Sequence, residues 1–103
     1  MSFTGNEDHS ISLQEAADWT ENYRDKNPGE IKAHFFGKTT LQAILDQEDC
    51  VGIRIYYALN DEGKKCLVLT GANANEEDLY NGVLAEKGKT CPPNCDVNSP
   101  LNA

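Results

Sequence analysis

Apolar residues first fall into a helical rhythm after Ser12. Leu13, Ala16, Trp19 or Thr20, and Tyr23 recur at three- and four-residue spacing, which gathers them on one stripe of an α-helix. Ser12 and Glu15 stand as a capping box, hydroxyl and carboxylate each satisfying a backbone N–H that the first turn leaves without a partner. Ile11 and Ala16 flank it as a hydrophobic staple. Asn27-Pro28-Gly29 ends the helix, because Pro28 forces Asn27 out of helical geometry. A loose alternation over 31–36 reads as a short strand. Gly37-Lys38 then connects to a second helix over 39–47, with Thr39 as its cap and Leu41, Ile44 and Leu45 on one face.

The rhythm changes to a period of two over 51–59. Asn60-Asp61-Glu62-Gly63 is turn chemistry, with Gly63 suited to a left-handed position, so 65–70 is the return strand of a hairpin. The turn sets the register: Ala58 opposite Cys66, Tyr57 opposite Leu67, Ile55 opposite Leu69. Val51, Ile53, Ile55, Tyr57, Leu67 and Leu69 form the expected core face. The other face carries Arg54, Tyr56, Ala58, Cys66, Val68 and Thr70, too apolar for open water. A loop over 71–82 leads to a third strand through Val83 and Leu84, which a lone hairpin needs for stability. The sum is an α+β fold: two short helices packed on a small, mainly antiparallel sheet built around a central hairpin. One domain spans 11–95, with a mobile leader over 1–10 and a mobile tail over 96–103.

Charge narrows the partners. The chain of 103 residues has 17 acidic and 9 basic side chains, a net charge of −8. Phosphate-neutralising nucleic-acid binding and attachment to acidic lipid surfaces are both disfavoured. No apolar run reaches the length of a membrane span, and no basic-then-apolar signal opens the chain, so a cytoplasmic location is expected. There the four cysteines are expected as thiols.

Three segments invite chemistry. Phe36-Gly37-Lys38-Thr39 echoes a phosphate-binding loop, but Lys32 stands where the motif requires its first glycine. An EF-hand loop from Asn73 would need glycine where Asp78 stands. Cys91-Pro92-Pro93-Asn94-Cys95 brings two thiols together as a metal clip or a reversible disulfide. This segment resembles the Cys-Pro-x-x-Cys copper site of Sco-type copper chaperones over five residues, while the distal histidine of those proteins has no counterpart beyond His34. His34, beside phenylalanines, reads as a structural histidine, and Arg54 could hold a carboxylate. No triad, nucleophile elbow or metal-binding helix motif is present, so the sequence leans away from an enzyme.

The strand Gly52–Tyr57, the return strand Leu67-Val68-Leu69, Asp78–Gly82 and the closing Cys91–Cys95 segment together resemble a group of small uncharacterised bacterial proteins ending in Cys-Pro-Pro-x-Cys. The resemblance runs from Ile11 over most of the chain and brings a bacterial source but no activity. The leading expectation is a non-catalytic interaction module, homodimeric or bound to a protein partner through Arg54, Tyr56, Cys66 and Val68, with no cofactor. The alternative is a thiol-based redox or metal protein, with zinc or copper(I) on Cys91 and Cys95.

Overall fold

The computed structural model describes residues 2–102. In chain order its elements are α1 (Leu13–Lys26), β1 (Ala33–Phe35), α2 (Lys38–Leu45), β2 (Gly52–Leu59), β3 (Lys65–Ala72), β4 (Leu84–Ala85), β5 (Lys89–Cys91) and a short 3-10 helix, η1 (Pro100–Asn102). The fold is α+β, with two small antiparallel sheets in place of the one expected: β2-β3-β4 and β1-β5. The described residues gather into two units, one of 2–7 and 36–88, the other of 8–35 and 89–102.

The first unit is organised by the hairpin. Its register follows the turn, from Gly52 opposite Ala72 to Leu59 opposite Lys65, with Ala58 facing Cys66 as the sequence requires. Gly63 has φ +78, and its N–H donates to the Asn60 carbonyl at 2.9 Å. β4 adds to β3 through Leu69–Ala85 and Thr70–Leu84. Helix α2 lies against β2 and β3, and its Ile44, fully buried, belongs with Leu69 to the core of this unit. Thr39 does not cap α2. Gly37 occupies the cap position with no side-chain hydrogen bond, and the helix begins at Lys38.

The expected core face is covered along only part of its length. Leu69 is 2% exposed, but Ile55 is 52%, Leu59 69% and Tyr57 92% exposed. Length explains this: an eight-residue helix spans about 12 Å, whereas an eight-residue strand spans about 27 Å. A helix that short cannot roof the hairpin to its turn. The leader joins this unit too, with the Ser2 and Phe3 N–H groups donating to the Ala74 carbonyl at 3.1 and 3.2 Å.

In the second unit α1 starts on the capping box, the Glu15 N–H donating to Ser12 Oγ at 3.0 Å and the Ser12 N–H to Glu15 Oε1 at 3.3 Å. It ends at Asn27, whose ψ of 57 lies outside the helical range. β1 and β5 pair with His34 opposite Thr90 and Ala33 opposite Cys91. Sequence pattern gave no strand over 89–91, since Lys89-Thr90-Cys91 is too short to show a period. η1 packs on α1, where Arg24 Nη1 donates to the Leu101 carbonyl at 2.6 Å.

Candidate interaction surface

The even-numbered face of the hairpin carries a polar cluster. Arg54 and Tyr56 sit two residues apart on β2 and so point the same way. An isolated bridge between Ala72 and Asp78 brings the Asp78 carboxylate over that face. Arg54 Nη1 donates to Asp78 Oδ1 at 2.5 Å and to the Glu76 carbonyl at 3.1 Å. The Tyr56 hydroxyl donates to Asp78 Oδ2. The Phe3 ring lies 5.4 Å from the Arg54 guanidinium carbon, within cation–π range.

These contacts shift titration in consistent directions. The Tyr56 hydroxyl, then Arg54, holds the Asp78 carboxyl below the usual carboxylate range. The hydrogen bond to Asp78 pushes the Tyr56 phenol up, because losing its proton would set an anion against a carboxylate. Asp78 and Phe3 were not foreseen as partners of Arg54, because both lie in segments without periodicity.

The other two residues expected on this face are less open than the sequence suggested. Cys66 is 8% exposed, and burial, with the Glu86 carboxylate near by, pushes its thiol pKa up. Val68 is half-buried opposite Tyr56. All four residues share one face, but only Tyr56 is well exposed there.

The larger open apolar surface lies on the opposite face, with Ile55, Tyr57 and Leu59. It adjoins a free sheet edge: among the described residues, β2 has a strand only on its β3 side. The Asn60 N–H donates to the Lys64 carbonyl at 2.9 Å. By antiparallel alternation, the main chain of positions 54, 56 and 58 therefore faces β3, while that of Ile53, Ile55, Tyr57 and Leu59 faces outward. Sheet edges are commonly blunted by proline, lysine or a bulge. This stretch has neither proline nor lysine, and its one charge, Arg54, is neutralised by Asp78. At the start of β2 the leader comes close, so that a Cβ on Gly5 would lie 2.9 Å from the Val51 carbonyl oxygen.

The remaining candidates are more self-contained. A cleft of about 640 Å³ has Gln47, Asn73, Asp78 and Tyr80 among its lining residues. Two of its three side-chain amides are already bonded, Gln47 to Ile44 and Val83 and Asn73 to Glu77. In the second unit Cys91 and Cys95 are joined as a disulfide, Cα to Cα 4.8 Å, whereas Cys50 and Cys66 are free thiols. No group of three or more metal-ligating side chains occurs among the described residues. His34 Nε2 is buried without a hydrogen-bond partner. His34 and Arg54 belong to different units.

No known protein family, curated protein or solved structure matches the chain. Among the described residues, no helix is long and apolar enough to cross a membrane.

Proposed function

We propose that this protein is a small non-catalytic interaction module that engages a protein partner through the outer half of its hairpin. The observation that carries the reading is Tyr57, 92% exposed between Ile55 and Leu59 on a strand whose outer edge is unpaired among the described residues. Exposed aromatic and aliphatic side chains grouped on one element are the usual anchors of protein interfaces. The free edge of such a strand offers backbone donors and acceptors beside them.

A photo-crosslinking benzoylphenylalanine in place of Tyr57, used in cells that produce the protein, tests this. A discrete protein adduct is expected from position 57 and not from the control position Tyr80, also solvent-facing at 70% exposed. Absence of an adduct at position 57 overturns the reading.

A second reading is favoured by the Cys91–Cys95 bond: a reversible thiol couple, reduced to two thiols by two electrons and two protons from an external dithiol. Redox equilibration against dithiothreitol separates it from a structural clip. A working couple has a potential above about −300 mV, and a value below that assigns the bond to structure alone.

A further inference from the structure

Resting on the reading of the hairpin as an interaction surface, we infer that its partner is a second copy of this chain, added edge to edge through antiparallel pairing of β2 with β2. The available edge has defined ends. It begins after Val51, where Gly5 closes in, and stops at Asn60, where the turn bond to Lys64 begins. The outward-facing positions between those ends are Ile53, Ile55, Tyr57 and Leu59, and their midpoint is Tyr56.

A two-fold axis at Tyr56 makes this edge complementary to itself. Ile53 then pairs with Leu59 of the partner subunit, and Ile55 with Tyr57 of the partner subunit, so each outward-facing residue meets an apolar one. Roughly eight inter-chain backbone hydrogen bonds become available. On the other face Tyr56 meets Tyr56 of the partner subunit, and Arg54 meets Ala58 of the partner subunit. Shifting the axis by one residue to Tyr57 leaves Ile53 opposite Asp61 of the partner subunit, which is a worse match.

Charge favours the same seam. Two chains of net charge −8 repel, so a stable contact between them needs a surface free of uncompensated carboxylates. From Ile53 to Leu59 the only charged side chain is Arg54, and its partner Asp78 lies within its own chain. Strand pairing of this length makes a small interface, of the transient class below about 1,200 Å². The dimer is therefore expected at about 10–100 μM.

Sedimentation velocity across that concentration range tests the inference, with Tyr57→Lys and Ile55→Pro as variants. The first puts two lysines into the apolar seam. The second removes an outward-facing N–H while leaving the bonds to β3 in place. A monomer–dimer equilibrium is expected, tightened by added salt because screening weakens the net repulsion while the seam itself is uncharged. Each variant is expected to raise the dimer Kd by about tenfold or more. Thermal melts establish that the variants fold, and if Ile55→Pro does not, Tyr57→Lys decides alone. A wild-type monomer at 100 μM, or a dimer indifferent to Tyr57→Lys, overturns the inference. If the protein is monomeric and the crosslinker at position 57 captures a different protein, self-pairing fails while the interaction reading stands. If it is monomeric and nothing is captured, both fail.

Discussion

The side-chain oxygen of Gln47 accepts the backbone N–H of Val83 at 2.8 Å. This one bond ties the residues after α2 to the entrance of β4, across a long stretch of chain. The same side chain donates from Nε2 to the Ile44 carbonyl at 2.9 Å, so both ends of the amide are used. Gln47→Leu keeps the bulk and removes both bonds. The Val83 amide is then expected to exchange with deuterium at least about tenfold faster, with β3 protection unchanged, because β4 contributes only two residues to the sheet. Equal exchange in variant and wild type would mean that the bond does not hold β4 in place.

Acid should act through Asp78. Its carboxyl is held below the usual range by Tyr56 and Arg54. A lowered folded-state pKa gives stability that is present above the unfolded value of about 4 and lost as pH falls through the folded one. Tyr56 has the opposite sign: its raised pKa gives stability present below about 10 and lost at higher pH as the folded-state phenol ionises. In thermal melts from pH 2 to pH 7, Asp78→Asn is expected to flatten the acid limb. In a second series of melts carried above pH 10, Tyr56→Phe is expected to flatten the alkaline limb. Unchanged limbs in both variants would remove the cluster as a source of pH dependence.

Gly63 and Gly52 make a contrasting pair. Both have open space where a Cβ would go, but only Gly63 is left-handed, at φ +78. Gly63→Ala is expected to cost about 1–2 kcal/mol. Gly52→Ala, free of that strain, is expected to be neutral or to stabilise by up to about 1 kcal/mol through the unfolded state. Urea titration of the two variants reads the difference. Equal effects would show that backbone handedness is not what the turn requires.

Local chemistry was legible in the sequence where short-range rules govern it. The Ser12–Glu15 box, the stop at Asn27 and the hairpin register each depend on residues within one turn, and each is found as expected. The third strand also appears, at Leu84–Ala85. The pairing of β1 with β5 was not legible, because three-residue strands carry no periodicity and their partners are far apart in sequence. Face assignment was only half legible. Alternation separates Ile55, Tyr57 and Leu59 from Arg54 and Tyr56, but it cannot say how far a helix reaches along a strand. For the same reason Arg54 could be picked out as a binding group, while Asp78 and Phe3, which occupy it, could not.

The β1–β5 ribbon also constrains the order in which the molecule comes together. Residues 36–88 lie between its two strands in the sequence, so joining Phe35 to Lys89 closes a loop of roughly fifty residues, at about 2 kcal/mol more chain entropy than a hairpin turn. The β2–β3 hairpin closes over five residues, 60–64, and has no such barrier. Amides of the hairpin are therefore expected to gain protection before those of 33–35 and 89–91 in pulsed hydrogen exchange during refolding. Until the inserted stretch condenses, the ends of the second unit are held apart by an uncollapsed polymer, and a chain released early from synthesis would present a finished hairpin with an unfinished neighbour.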